Sequence, residues 1–278
     1  MNDPRPDGRR QWFIDVAVTL AIWAYFTLGY LLGFAPRHLA ARTVRDHRTR
    51  EVAFQWINHR FYRGFFRLLT RITPGLTLRV DPAVRDIRSS VVVANHRSYL
   101  DPLLLIAIFP VHKTIVQPVF FRVPIFGSVI AQSGYLPADT DPRTEALLID
   151  GISGMRDYLD GGGNLFVFPE GTRRTGDDES PVGPLHRGAF KIARRCRAPV
   201  RVLSIRGTDR IFTPGRFWFR TGAPVTITVD PAGTVRPDAW GVQPLTEIIE
   251  SVRAALSASP GPSTPAGPDR PAPSSEAP

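Results

Sequence analysis

Apolar and polar positions divide the chain into three textures. From Val16 to Phe34 nineteen consecutive residues carry no charge, and Ala35-Pro36 closes the run. A helix of that length measures about 28 Å, close to the hydrocarbon thickness of a bilayer, so the segment either spans a membrane or dips into one leaflet. Between Val52 and Ile72 the pattern becomes periodic: Phe54, Ile57, Phe61, Phe65, Leu68 and Ile72 recur every three or four residues, while Arg60, Arg63, Arg67 and Arg71 repeat on a neighbouring helical face. This predicts an amphipathic helix whose aromatic face is flanked by arginines, a composition suited to anionic headgroups. A core-packing helix with a solvated basic side satisfies the same spacing.

Beyond Pro74-Gly75 short β-rich runs at 76–80, 90–94, 165–168, 200–205, 217–220 and 225–229 alternate with helical patterns near 101–109, 142–159, 187–196 and 240–257. Such alternation predicts an α/β fold: a central mixed sheet flanked by helices, preceded by an N-terminal helical membrane-anchoring segment. The last residues are rich in Pro and Ser and predict no packed structure. The expected organisation is a flexible N-terminus at 1–11, anchoring helices over 12–75 (apolar 12–35, basic amphipathic 52–72), an α/β domain over 76–257 and a disordered tail over 258–278.

Composition sharpens this. The 278 residues carry a formal charge of +10, and +7 of it falls in the first 75 residues, where twelve arginines face five acids. Because the residues interleaved with that charge are apolar and no nucleic-acid motif accompanies them, the basic segment points to a membrane surface. More arginines follow the apolar run than precede it, so by the positive-inside tendency the rest of the chain faces the cytoplasm. The run lacks a small-x-small cleavage site, and Arg9-Arg10 only loosely echoes a twin-arginine signal. A single cysteine, Cys196, excludes an intramolecular disulfide and cysteine-based zinc modules. No residue cluster for a metal is visible.

Two strand ends carry the candidate chemistry. In the first, Val91-Val92-Val93-Ala94 runs into Asn95-His96-Arg97-Ser98-Tyr99-Leu100-Asp101-Pro102. Asp101-Pro102 has the form of a helix N-cap with proline at the first helical position. Its carboxylate has acceptor capacity for a histidine N–H as well, and a histidine held that way makes a general base. In the second, Leu165-Phe166-Val167-Phe168 leads into Pro169-Glu170-Gly171-Thr172-Arg173-Arg174, where glycine permits close backbone approach and arginine forks suit phosphate oxygens. A plain turn with Glu170 paired to an arginine is the simpler reading of this second loop.

Taken together, Asn95-His96-Arg97-Ser98-Tyr99-Leu100-Asp101 and Phe168-Pro169-Glu170-Gly171-Thr172-Arg173 resemble the NHxxxxD and FPEGTR motif pair of the glycerolipid acyltransferases, specifically the bacterial 1-acylglycerol-3-phosphate acyltransferase type. The resemblance covers roughly residues 76–230, with Arg122–Gly127 and Arg187–Ala193 similar to further family segments. It implies that His96 deprotonates the free hydroxyl of a lysophospholipid, with Asp101 orienting the imidazole. Asn95, Glu170, Gly171, Thr172 and Arg173 would bind the acceptor, and hydrogen bonds near Gly171 would stabilise developing negative charge. The donor would be acyl-CoA or acyl-carrier protein, used as a substrate with no cofactor and no metal. The product would be phosphatidic acid, a step of phospholipid biosynthesis, and the implied partners are membrane lipids and the lysolipid, with no nucleic acid.

The chain departs from the family pattern at Gly134-Tyr135-Leu136-Pro137-Ala138-Asp139-Thr140, where Thr140 stands at an arginine position and Arg143 follows. Another lysolipid acceptor, such as a lyso-aminolipid, therefore stays open. So do a serine hydrolase using Ser98 beside His96 and Asp101, and a lipid-headgroup binder without catalysis. No G-x-S-x-G elbow supports the hydrolase. For an acyl-chain groove the candidates are Val119-Phe120-Phe121 and Ile125-Phe126.

Overall fold

A computed structural model of the protein describes residues 8–138, 145–171, 182–212 and 217–258. Seven strands, β1 (Leu76–Val80), β2 (Ser90–Ala94), β3 (His112–Val116), β4 (Leu136–Pro137), β5 (Asn164–Val167), β6 (Val200–Arg206) and β7 (Val225–Val235), form one sheet in the order β1-β7-β6-β2-β5-β3-β4. All neighbouring pairs are parallel except β6 with β7, so the sheet is mixed, as expected. The longer helices are α1 (Gly8–Ala41), α2 (His47–Ile72), α3 (Leu100–Ile108), α4 (Phe126–Gln132), α5 (Glu145–Ser153), α6 (Met155–Asp160), α7 (Gly188–Cys196) and α8 (Leu245–Ala258).

Strand β2 lies at the centre, buried at all five positions between β5 and β6, which is why it reads as a continuous apolar run. Successive side chains point to opposite faces. Val92, Ala94 and Phe166 join the core that includes residues of α2 and α3, whereas Val91, Val93, Leu165 and Val167 join the core beneath α7 and α8.

The helix over 47–72 begins five residues before the expected start because Asp46 caps it, its carboxylate accepting from Thr49 N at 2.7 Å. Its aromatic face is not a membrane face. Phe54, Phe61 and Phe65 are buried, and beyond the first turn the exposed residues are Arg60, Arg63, Arg67 and Arg71 with Trp56 among them. The cause is α1, which crosses that face: the Tyr25 ring stacks on Phe61 with centroids 5.2 Å apart, and Tyr25 Oη donates to the Phe61 carbonyl at 2.8 Å. Outward-facing apolar surface is therefore carried by α1, where Trp12, Phe13, Leu20, Leu28, Leu31 and Leu32 are exposed. Among the described residues α1 is the one helix long and apolar enough to cross a membrane.

Residues 217–220, expected as a strand, lie outside the sheet and meet α1 instead. Thr19 Oγ1 accepts from Phe219 N at 3.0 Å, Asp15 Oδ1 accepts from Thr221 N at 2.9 Å, and Trp23 stacks on Phe217. An aromatic run satisfies a helix flank as well as a sheet, and only the three-dimensional neighbour decides. Strand β3 escaped prediction because it opens with His112 and Lys113. Both are buried since α2 supplies partners: Glu51 pairs with Lys113 at 2.8 Å, and Gln55 accepts from His112 N at 3.1 Å. Strand β7 runs six residues past its expected end, through Pro231, with a bulge opposite Val202/Leu203. The helical pattern expected near 142–159 is two helices meeting at Gly154.

Candidate active site

Parallel pairing of β2 with β5 puts Val93 opposite Val167, so the two strands end side by side and their motif loops rise together. This is the carboxyl edge of the sheet, where α/β proteins place their ligands. His96 from the first loop stacks on Phe168 from the second, with ring centroids 4.3 Å apart and planes 26° from parallel.

His96 Nδ1 lies 3.1 Å from Asp101 Oδ2. The imidazole is 14% exposed and the carboxylate 1%, so the pair opens to solvent only on the histidine side. Assigned from these neighbours, Nδ1 carries the proton it donates to the carboxylate, and Nε2 has no partner among the described residues. Asp101 does not cap α3. The helix starts at Leu100 with Tyr99 in the cap position, and the Asp101 carboxylate turns back to accept from Arg97 N and Ser98 N, both at 2.7 Å. Its other oxygen accepts from Thr208 Oγ1 at 2.6 Å. Those three donors and the imidazole compensate a carboxylate buried without a cation among these partners.

Asn95, expected on the substrate side, has its amide engaged elsewhere. Nδ2 donates to the Ile205 carbonyl at 2.8 Å and Oδ1 accepts from Ile205 N at 2.7 Å, extending the β2–β6 pairing by one side chain. Glu170 is buried and pairs with no arginine among the described residues. One oxygen accepts from His96 N and the other from Gly183 N, each at 3.3 Å, so the second motif holds the first through its carboxylate. Gly171 has φ +69°, and a Cβ there would come within 2.8 Å of His186 Nε2. Its N–H donates to the Phe168 carbonyl at 3.1 Å, closing the turn, and is not a free donor for an oxyanion. Thr172 and Arg173 lie outside the described residues, as do Thr140 and Arg143. Ser98 is fully buried and its hydroxyl donates to the Phe212 carbonyl at 2.8 Å, a placement that removes it as a nucleophile.

Sequence reasoning missed Thr208 and His186. Thr208 stands 107 positions after Asp101, and no local pattern links the two. The one available signal was Gly207 immediately after the apolar strand β6. Among the described residues no group of three or more His, Cys, Asp or Glu is placed to hold a metal ion.

Fold and site thus define an α/β protein that presents a carboxylate-held histidine at the carboxyl edge of its sheet, beside a glycine-bearing turn. Residues 76–206, just under half of the chain, match the family model described as Acyltransferase. It is 32% identical over 126 residues to the chloroplastic 1-acyl-sn-glycerol-3-phosphate acyltransferase BAT2 of Brassica napus, covering 45% of this chain and 35% of that protein. To the 1-acyl-sn-glycerol-3-phosphate acyltransferase of Saccharomyces cerevisiae it is 29% identical over 183 residues, covering 65% and 58%. The matches therefore span about a third of the plant relative's length and just over half of the yeast one. Among solved structures the 1-acyl-sn-glycerophosphate acyltransferase PlsC of Thermotoga maritima has the same fold, with a TM-score of 0.63 at 20% identity over 89% of this chain and 95% of that one.

Proposed function

We propose that the protein transfers a fatty acyl group from acyl-CoA or acyl-carrier protein to the free hydroxyl of a lysophospholipid, 1-acylglycerol-3-phosphate, producing phosphatidic acid. The observation that carries this reading is the His96–Asp101 pair, which engages Nδ1 and leaves Nε2 open on the exposed side. In the proposed step Nε2 takes the hydroxyl proton as the acceptor oxygen attacks the thioester carbonyl. The tetrahedral adduct then collapses, the C–S bond breaks, and the imidazolium returns its proton to the departing thiolate. An ester and a free thiol result, with no acyl-enzyme.

The remaining site residues divide into two groups. Asn95 and Glu170 hold the histidine turn through backbone contacts. Gly171, Thr172 and Arg173 continue past that turn and take the acceptor's polar head, with Arg173 matching phosphate oxygens bidentately. Val119 and Ile125, 60% and 61% exposed, offer apolar surface to the acyl chain.

A lysolipid resides in a bilayer and a thioester donor in the cytosol, so the site belongs at a membrane surface on the cytoplasmic face. Helix α1 supports that placement. It is tied along the domain by Asp15, Thr19 and Tyr25, and its apolar residues Leu28, Leu31 and Leu32 face outward, the arrangement of a helix lying in one leaflet. A different lysolipid acceptor is the second reading, favoured by Thr140 at a family arginine position.

The test is acyl transfer from radiolabelled acyl-CoA to lysophosphatidate, beside zwitterionic and uncharged lysolipids, by the full-length protein and its His96→Ala variant. His96→Ala is expected to lose roughly 10²–10⁴ of the rate. Full activity in that variant sinks the mechanism, and a strong preference for a phosphate-free acceptor replaces lysophosphatidate by the second reading.

A further inference from the structure

Asp101 Oδ2 accepts from two backbone amides and the imidazole, whereas among the described residues Oδ1 accepts from a single group, the Thr208 hydroxyl at 2.6 Å. Thr208 is 1% exposed and opens the one-turn helix Thr208–Ile211 that follows β6. Its delivery depends on the residue before it. Gly207 has φ +84°, and a Cβ there would come within 2.5 Å of the Thr226 carbonyl, so a side chain is excluded twice over. A second hydroxyl crosses in the opposite direction: Ser98 Oγ donates to the Phe212 carbonyl at the far end of the same turn. The two bonds clamp the 98–101 turn against the 208–212 turn.

We propose that Thr208 is a positioning residue for the general base, acting through Asp101; this rests on the reading of His96 given above. A carboxylate rotates about its Cβ–Cγ bond unless both oxygens are held. Thr208 holds the oxygen that neither the backbone nor the histidine reaches, which fixes the plane in which Oδ2 meets Nδ1. It also stabilises the negative charge of a group shielded from water. Without that donor the carboxylate binds the imidazole proton more tightly, and His96 stays protonated, unable to act as a base, up to a higher pH. The other charged or titratable groups on the elements around the pair are Arg97 next to His96, Glu170, engaged with the amides of His96 and Gly183, His186 beside Gly171, Arg206, paired with Asp230, and Asp209 and Arg210 on the Thr208 turn.

The experiment compares Thr208→Val, Thr208→Ser and Ser98→Ala in the full-length protein, measuring kcat, acceptor KM and the pH dependence of kcat/KM, with thermal unfolding as the control. Thr208→Val is expected to lower kcat roughly 10–100-fold with KM changed less than about threefold, and to move the acid limb up by about half a pH unit or more. Thr208→Ser restores both. Ser98→Ala loses the reciprocal bond and leaves Oδ1 its donor, so its acid limb stays in place. An unmoved acid limb in Thr208→Val overturns the proposal, as does a loss of rate that serine does not restore. Should valine prevent folding, Thr208→Ala is read by the same limb with the same two outcomes. Full activity of His96→Ala in the same assay would sink the general-base reading itself, a result separable from either outcome at Thr208.

Discussion

Replacing Asp101 by asparagine removes a charge from the site while leaving almost all of its geometry. With the amide oxygen where Oδ2 stands, it still accepts from Arg97 N, Ser98 N and His96 Nδ1. The amide nitrogen then faces Thr208, whose hydroxyl rotates from donor to acceptor. Alanine at this position would instead orphan buried amides and a buried hydroxyl, at about 1–3 kcal/mol each, and would confuse folding with chemistry. In Asp101→Asn the contact to the imidazolium that forms on proton transfer drops from charge-assisted to neutral. That difference is about 1–3 kcal/mol, or roughly 5–150-fold in kcat/KM. Steady-state transfer to lysophosphatidate, with circular dichroism to confirm the fold, measures it. A variant within twofold of the parent would refute a role for the carboxylate's charge. A well-folded variant reduced more than about 10⁴-fold would mean that the amide nitrogen faces His96, contradicting the hydrogen bonds assigned around Oδ2.

Three further outcomes follow from the same structure. Burial pushes the His112 imidazole down to about 3, with Nδ1 against the Phe109 carbonyl and Nε2 against Tyr135 Oη. The unfolded chain protonates this group near pH 6.5 and the folded chain does not, so its contribution is present above that value and is lost as pH falls. Between pH 7 and pH 5 its share of the loss is about 2 kcal/mol, read from urea unfolding as the part of the pH dependence that His112→Gln removes; the buried His38, lowered to about 4, supplies a further part that remains. Gly134→Ala places a Cβ within 2.3 Å of Glu51 Oε1 at a φ of +69°, so a melting midpoint lower by about 4–8 °C is expected, and an unchanged midpoint would contradict the buried Glu51–Lys113 contact. Asp15→Ala strips Thr221 N of its acceptor at about 1–3 kcal/mol, and hydrogen exchange at Thr221 should quicken while β2 stays protected.

How much of this was legible in the chain differs from element to element. The central strands were, because a strand buried on both faces is an unbroken apolar run, and Val91-Val92-Val93 and Leu165-Phe166-Val167 are both of that kind. His96 and Asp101 were legible as a pair because their partnership is local, five residues across one turn. By itself, then, the sequence determined the α/β class, the two motif loops and an apolar basic N-terminal segment. Only the tertiary structure decided what those pieces face. An aromatic stripe on a helix records that the face is buried, not what buries it, and α1 rather than a bilayer covers Phe61 and Phe65. Thr208, Glu170 and Asn95 likewise took their partners from strand order. Contacts between residues about a hundred positions apart are set by which strand lies beside which, and a hydrogen bond leaves no period in the sequence that makes it.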